Sequence, residues 1–341
     1  MSAQRDPAPA AYHGAGWRPR TGSLAEDVAA GRCWSARAND SEYGTLREVV
    51  LHRPEPGLAP PADPDSVLHL APADPAALRD ELAALADCYE QLAVRVHWLD
   101  VRSPDGAGQD GPWHNLMFAR DLFFMTPQGG VVARMGGAAR AGEERHAART
   151  LASLDVPVLR TVSGHGTFEG ADALWARPDT VLVGLGRRTN REGARQLAEC
   201  LAPSGVRVVP VRLPGRVQHL LGILQLVDRD LAVLRGELAD AALRTTLTEL
   251  GYTLVELDED QEVARGQAMN FVTVAPRAVV MADDAPRTRR RLELAGLTVA
   301  GQAPVGALRR AAGGLACATG ILSRRLTTPS ADHHRGATHG R

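Results

Sequence analysis

The stretch "TVLVGLGRRTNREGARQLAECLAPSGVRVVPVRL", residues 180–213, indicates the fold class. Its two ends, TVLVGLG and GVRVVPVRL, are rich in β-branched and apolar residues and predict strands. The segment REGARQLAECL between them has the apolar spacing of a helix. Similar segments recur along the chain in the order strand, strand, helix, strand. This pattern predicts an α/β protein with many short strands rather than a run of simple βαβ units.

The same patterns assign further elements on both sides of this stretch. Strands are predicted for TLREVVLH, AVRVHWLD, DLFFM, DLAVLRG, YTLVELD, FVTVAP and AVVMAD. Helices are predicted for PAALRDELAALADCYEQL, LADAALRTTLTEL and APRTRRRLELAG. No long Gly/Ser linker divides residues 41–326, so they predict a single domain. Residues 1–40 predict a flexible N-terminal arm and residues 327–341 a disordered tail.

Composition excludes several classes of function. The net charge is −1 and no dense basic run occurs, which predicts no nucleic-acid partner. No apolar stretch approaches the ~20 residues that span a bilayer, so no membrane contact is predicted. No glycine-rich phosphate loop follows a strand, and no cluster has metal-ligand spacing, so we predict neither a cofactor nor a metal.

The basic residues and cysteines narrow the chemistry further. The chain contains no lysine, so Schiff-base chemistry is excluded and any cationic contact to a carboxylate comes from arginine. The four cysteines are scattered, and no apolar leader opens the chain, which together predict a cytoplasmic protein with free thiols. A homodimer is one assembly that the sequence allows.

Four short motifs combine charged or reactive side chains with apolar neighbours. They are NLMFARDLFF (115–124), GTFEGADALW (166–175), VQHLLGILQLVD (217–228) and AAGGLACATGIL (311–322). Each has an ordinary structural interpretation: a surface salt bridge, solvated acids on a turn, a hydrogen-bonded core histidine and a small buried cysteine. No single motif specifies a function.

Together the motifs supply the groups needed to attack a guanidinium carbon. The carboxylates of Asp121, Glu169 and Asp172 can pair with the flat N–H edges of such a cation. The Cys317 thiolate can attack the electrophilic carbon, and His219 can pass protons to the departing amine and from water. A cation beside the sulfur also favours the thiolate over the thiol. The motifs therefore predict a small-molecule guanidino substrate.

Six segments in this order carry a family resemblance. They are SEYGTLREVVLHRP, NLMFARD, FEGAD, VGLGRRTNREGARQL, MNFVTVAPRAVVMADDAPRTRRRLELAG and GGLACATG. Over residues 41 to about 325 the sequence resembles the guanidino-group-modifying enzyme superfamily. This superfamily comprises arginine deiminases, dimethylarginine dimethylaminohydrolases and arginine:glycine amidinotransferases. In FEGAD, Ala171 stands where arginine deiminases have a second glycine.

The resemblance implies the roles of five residues at the reacting centre. Cys317 would be the nucleophile and His219 the general acid and base. Glu169 would pair with the guanidinium and orient His219, and Asp121 would hold the other edge of the cation. Asp172 would support these groups.

The resemblance also implies a fold and a site for the amino-acid end of the substrate. Asn115, Arg140 and Arg188 match positions that hold this end in arginine deiminases. The implied fold is a five-bladed pseudo-symmetric α/β propeller of the pentein type. Residues 41–326 would then form the catalytic domain, with the substrate in the central channel.

The sequence departs from the family pattern at Leu221. Deiminases and amidinotransferases usually carry an acidic residue here, two positions after the histidine. A missing carboxylate removes a charge-assisted hydrogen bond worth roughly 1.5–3 kcal/mol to a bare guanidinium. An apolar side chain tolerates a substituted nitrogen, and the dimethylaminohydrolases also lack this acid. "FARD", in contrast, is closer to the deiminases. Both arginine and N-substituted arginine therefore stay open as substrates.

Three functions follow from these observations. The first is a cysteine-dependent hydrolase that releases citrulline plus ammonia or an amine through a covalent thiouronium intermediate. The second is an amidinotransferase, in which an acceptor amine replaces water in the second step. The third is a non-catalytic relative that binds guanidines.

Overall fold

The computed structural model describes residues 8–55, 57–101 and 112–327. The described strands are β1 (Leu46–Leu51), β2 (Arg95–Trp98), β3 (Phe123–Thr126), β4 (Gly129–Val132), β5 (Val158–Thr161), β6 (Ala173–Arg177), β7 (Thr180–Leu185), β8 (Arg207–Arg212), β9 (Leu224–Leu226), β10 (Leu231–Arg235), β11 (Thr253–Leu257), β12 (Val272–Ala275), β13 (Ala278–Ala282), β14 (Thr298–Ala303) and β15 (Gly320–Arg324). The described α-helices are α1 (Leu24–Ala30), α2 (Pro75–Gln91), α3 (Glu144–Ser153), α4 (Arg191–Leu201), α5 (Ala241–Glu249), α6 (Gln261–Ala264), α7 (Pro286–Leu294), α8 (Gly306–Arg310) and α9 (Leu315–Ala318). The strands form five sheets of three strands each.

All five sheets share one topology. In the sheets β3-β4-β5, β6-β7-β8, β9-β10-β11 and β12-β13-β14, the first two strands pair antiparallel and the last two pair parallel. The parallel pairs need a crossover, which α3, α4, α5 and α7 supply. The fifth sheet, β15-β1-β2, has the same order, but its first strand comes from the end of the described chain. The beginning and end of the propeller are thus joined within one sheet.

The predicted elements are confirmed, although several short ones were not foreseen. All nine predicted strands and all four predicted helices are present, and the helix predicted for REGARQLAECL has the bounds of α4. The patterns missed five helices (α1, α3, α6, α8 and α9) and six strands, including β4, which begins with two glycines, and β9, which has three residues. Short or glycine-containing strands give a weak period-two signal, so only their pairing partners reveal them.

Close packing brings the turns that precede the sheets against one another. A Cβ atom on Gly170 would lie 2.2 Å from the carbonyl oxygen of Phe123, so only glycine allows the turn before β6 to contact the start of β3. The Asn190 side chain accepts hydrogen bonds from the N–H groups of Gly193 and Thr167. It thereby caps α4 and ties this helix to the same turn.

The described residues before β1 pack against the propeller. Residues 8–40 include α1, and Ser35 and Arg37 hydrogen-bond to the backbone of Asp155 and Leu154. The domain boundaries stay predictions, and the predicted tail lies outside the described residues except for residue 327. Within the described part of the chain, no helix is both long and apolar enough to cross a membrane.

Candidate active site

The candidate reactive side chains occupy equivalent places in the five sheets. Each lies in the short turn just before the first strand of its sheet, where the chain approaches the centre of the propeller. They are Asp121 before β3, Glu169 and Asp172 before β6, His219 before β9, Asn270 before β12 and Cys317 before β15. Positions separated by about fifty residues in sequence therefore converge.

Most of the predicted residues line one pocket, which we call the inner pocket. Asn115, Asp121, Arg140, Arg188, His219 and Cys317 all contribute to its wall. Its free volume is about 10 Å³, so it holds little more than a water molecule in this conformation. Glu169 and Asp172 are fully buried behind this wall.

Glu169 orients His219. Its Oε2 lies 2.6 Å from His219 Nε2, and its Oε1 accepts a hydrogen bond from the Gly136 N–H at 2.9 Å. Burial alone lowers the pKa of His219, but the charge of Asp121 and the hydrogen bond to Glu169 outweigh it and raise that pKa to about 9. Burial acts to raise the pKa of Glu169, but the hydrogen bond from His219 and nearby arginines hold it well below its usual value. At neutral pH the pair is therefore an imidazolium and a carboxylate.

Asp121 presents an unused acceptor close to the imidazole. Its Oδ2 pairs with the Arg140 guanidinium. Its Oδ1 is buried, lies 3.8 Å from His219 Nδ1 and has no hydrogen-bond partner among the described residues. A buried carboxylate oxygen without a donor is destabilising, so this atom is suited to accept an N–H group from a ligand.

Arg140 contacts the protein through all three of its guanidinium nitrogens. Besides Asp121, it donates to Glu143 Oε2 at 2.8 Å and to the carbonyl oxygens of Asn115 and Phe118. Burial raises the pKa of Glu143 to about 7, although Arg140 opposes this shift. As the structure stands, Arg140 holds Asp121 in place, and its predicted contact with the amino-acid end of a substrate remains a prediction.

Arg188 and Asn115 also line the inner pocket. The Arg188 side chain is 15% exposed, and its Nη1 lies 3.5 Å from both oxygens of Glu169. The Asn115 amide donates to the carbonyl oxygen of Val67, which precedes Leu68 in the wall of the inner pocket. Both side chains remain candidates for the amino-acid end.

Asp172 supports the histidine turn. Its Oδ1 accepts the Leu220 N–H at 3.0 Å, which holds the residue that follows His219. Burial raises the pKa of Asp172 to about 7. This geometry fits the predicted supporting role rather than direct contact with a ligand.

Asn270 forms two hydrogen bonds with Cys317. None of the four sequence motifs had indicated this residue. Its Nδ2 donates to Cys317 Sγ at 3.0 Å, while its Oδ1 accepts the Cys317 N–H at 3.0 Å. A Cβ atom on Gly314 would lie 2.8 Å from the Asn270 side chain, so the glycine permits this close approach. Burial and the charge of Asp121 raise the pKa of the Cys317 thiol to about 11, and the Asn270 amide opposes the shift.

Two carboxylates and a histidine at this site could also be considered as ligands for a metal ion. Ligand atoms of Asp121, Glu169 and His219 lie within 4.8 Å of one another. The Arg140 guanidinium already neutralises these carboxylates, because it binds Asp121 and lies 3.9 Å from Glu169. A metal ion held by all three residues would have to displace Arg140 from Asp121 or the His219 proton from Glu169, whereas a guanidinium N–H needs only the unpaired Oδ1 of Asp121.

Comparisons with known proteins agree with this geometry. Residues 111–264 match the family model described as arginine deiminase. An N(G),N(G)-dimethylarginine dimethylaminohydrolase from Pseudomonas aeruginosa is 26% identical over 208 residues, which are 61% of this chain and 77% of the relative.

Solved structures show the same fold. A mutant of the Pseudomonas aeruginosa dimethylarginine dimethylaminohydrolase complexed with citrulline matches 81% of this chain and 99% of its own, with a TM-score of 0.64 and 22% identity. An amidinotransferase from Microseira wollei in the saxitoxin biosynthetic pathway matches 87% and 99%, with a TM-score of 0.67 and 16% identity. The chain therefore resembles arginine deiminases in sequence over residues 111–264, and it shares its fold with a dimethylarginine dimethylaminohydrolase and an amidinotransferase. The predicted five-bladed α/β propeller of the pentein type is confirmed.

The repeated unit of this fold shows that Asn270 was predictable from the sequence. Asn270 precedes the first strand of its sheet by two residues, as Asp121 does in another sheet. Aligning the five strand–strand–helix–strand units would therefore have indicated it. Glu143 follows Arg140 by three residues, a spacing at which opposite charges often pair, so the sequence also carried a local signal for this contact.

Replacing Asn270 tests its contact with the sulfur. We expect Asn270→Ala to raise the pKa of the Cys317 thiol by about one unit and slow its alkylation at pH 8 about tenfold, because the thiolate loses a hydrogen-bond donor. Asn270→Asp keeps an acceptor for the Cys317 N–H but adds a negative charge, so the thiol pKa should rise further. The pH dependence of iodoacetamide alkylation measures both. A larger effect of alanine than of aspartate would indicate a purely structural role.

Proposed function

We propose that the protein is a cysteine-dependent hydrolase that cleaves a C–N bond at the guanidinium carbon of arginine or an N-substituted arginine. The products are citrulline and ammonia or an amine. One observation carries the proposal: the Cys317 thiol, the His219–Glu169 pair and the unpaired oxygen of Asp121 meet around one pocket. Arginine deiminases and dimethylarginine dimethylaminohydrolases among the relatives support this reaction class.

The first half of the reaction forms the covalent intermediate. The guanidinium donates an N–H to Asp121 Oδ1, and its positive charge beside the sulfur lowers the raised pKa of the thiol, which releases its proton to solvent. Cys317 Sγ then forms a bond to the guanidinium carbon. The His219 imidazolium gives a proton to the departing nitrogen, the C–N bond breaks, and a thiouronium remains on the sulfur.

The second half releases the product. His219, now neutral, takes a proton from water while the water oxygen attacks the same carbon. The C–S bond breaks, the sulfur regains a proton, and citrulline leaves. Glu169 holds the ring in position in both halves, and Arg140 keeps Asp121 aimed at the cation.

A substrate panel tests the proposal. The protein is incubated with arginine, Nω-methylarginine and asymmetric dimethylarginine, and citrulline, amine and ornithine are measured. Citrulline supports hydrolysis. Ornithine formed only with an added amine would support the amidinotransferase alternative, which the Microseira wollei neighbour favours. If arginine raises the melting temperature but no product forms and Cys317 stays unreactive, the protein is a non-catalytic relative. The cytoplasmic location and the homodimer remain predictions.

The raised thiol pKa predicts how Cys317 reacts in the free enzyme. With a thiol pKa of about 11, alkylation by neutral chloroacetamide should rise about tenfold per pH unit between pH 7 and pH 10. The cationic chloroacetamidine, which is nearly the same size, should react faster at pH 7 because its charge stabilises the thiolate. A plateau of the chloroacetamide rate above pH 8, or equal rates for both reagents, would contradict activation by a bound cation.

A further inference from the structure

A second cavity, which we call the side cleft, also reaches the reacting residues. Its volume is about 470 Å³, compared with about 10 Å³ for the inner pocket. The two cavities share Gln218, His219, Ala312 and Cys317, so the sulfur and the imidazole are accessible from both. A cavity of this size accommodates a drug-sized group, far more than the methyl groups of dimethylarginine need.

Apolar side chains form one part of the wall of the side cleft, and the amides of Gln218, Gln267 and Asn270 form another part. Leu221, Leu238, Val263 and Met269 line it, and each is at most 5% exposed. Leu221 follows His219 by two residues, and both side chains line the cleft. A bare N–H₂ group would find no acceptor on the four apolar side chains, whereas an alkyl group that contacts them would bury apolar surface.

The rim of the side cleft is charged with both signs. Arg235 and Glu259 form an ion pair there, with Nε 2.7 Å from Oε1. Arg216 and Glu237 lie on the same rim and are exposed. An aliphatic chain would thus pass from an apolar interior to a polar opening, where its end can stay hydrated.

We propose that the side cleft binds a long alkyl substituent on the departing nitrogen, so that the substrate class is an Nω-alkylarginine with a chain of about four carbons or more. This inference rests on the proposed hydrolase function. The reaction is Nω-alkylarginine plus water to citrulline plus the alkylamine. The bond between the carbon and the alkylated nitrogen breaks after Cys317 attack, that nitrogen gains its proton from His219, and water supplies the citrulline oxygen. No oxidant or reductant is needed.

The test compares chain lengths. Nω-methyl-, Nω-butyl- and Nω-hexyl-L-arginine are assayed for citrulline and for the released amine. Because each buried methylene contributes about a three- to fourfold gain, kcat/KM should be at least about tenfold higher for the butyl than for the methyl compound. A kcat/KM that falls with chain length, while methylarginine still gives citrulline, overturns the side-cleft proposal and leaves the hydrolase function standing. No citrulline from any compound overturns both.

Variants at the cleft wall locate the effect. Ala264 lines the side cleft and is exposed, so Ala264→Trp, or the smaller Ala264→Phe, can fill the cleft without overpacking the core. The ratio of the hexyl to the methyl rate should fall towards one in either variant. Ala242→Trp, a change at an exposed alanine of α5 that does not line the cleft, should leave the ratio unchanged.

Two other outcomes assign the cleft differently. If Ala264→Trp lowers the rate with arginine as much as with the hexyl compound, the cleft holds the arginine backbone, and the proposal is wrong. If added hexylamine instead captures the amidino group from arginine, giving hexylguanidine and ornithine, the cleft is an acceptor site, and the assignment to a departing group is wrong.

Discussion

The Cys317→Ser substitution should lower citrulline formation by roughly 10⁴-fold or more, because the hydroxyl keeps the shape of the thiol but is a far weaker nucleophile. The covalent adduct should also disappear. In the wild-type protein, mass spectrometry after rapid quenching with substrate should show added mass on the peptide that contains Cys317. The Cys317→Ser variant should show none, although it still binds the guanidine.

Cys200→Ser is the matched control for this experiment. Cys200 is half-buried on α4 and lines neither the inner pocket nor the side cleft. Its replacement should change the rate by less than about twofold, in the range of ordinary surface substitutions. A Cys317→Ser variant that keeps a tenth of the wild-type rate would remove Cys317 from the reaction.

The Glu169→Gln substitution should lower kcat by roughly 10²–10⁴-fold, the second largest loss of activity that we expect. The substitution retains the size of the side chain but removes the charge that faces the imidazolium at 2.6 Å. The pKa of His219 should then fall from about 9 towards its ordinary value. Since the protonated ring must donate to the departing nitrogen, the high-pH limb of the kcat profile should move from about pH 9 towards neutral pH.

The same substitution should change how stability depends on pH. The pKa of folded His219 lies above its unfolded value, so its contribution is fully present below about pH 6.5 and is lost as the pH rises through about 9. The pKa of Glu169 is lowered, so its contribution is present above its unfolded pKa and lost in acid. The difference in melting temperature between wild type and Glu169→Gln should therefore be largest near neutral pH and shrink above pH 9.

Glu199→Gln provides the control for the loss of one negative charge. Glu199 is half-exposed on α4 and pairs with Arg195 at the surface. This variant should keep both the rate and the position of the high-pH limb. If Glu169→Gln also keeps the limb near pH 9, another group sets the protonation of the ring.

Local sequence patterns predicted many of the strands and helices, because the residues that define these elements are close together in the sequence. The period-two strands and the helix α4 with its Asn190 cap depend on residues close in sequence. The strand β15 escaped prediction because its evidence is its pairing with β1, about 270 residues away in the chain. The motifs indicated five of the candidate site residues and the family resemblance added Asn115, Arg140 and Arg188, but neither indicated the partners of these side chains.

By itself, the sequence determined the α/β class and the succession of strand, strand, helix and strand, and it predicted which cysteine, histidine and carboxylates form the candidate site. The tertiary structure decided that Asn270 donates a hydrogen bond to the sulfur, that Arg140 pairs with one oxygen of Asp121 and leaves the other without a partner among the described residues, and that a large cleft lined by Leu221 reaches His219 and Cys317. The reason is geometric. Secondary structure follows from neighbours within a few residues, whereas these contacts form only when five turns from distant parts of the chain approach one centre.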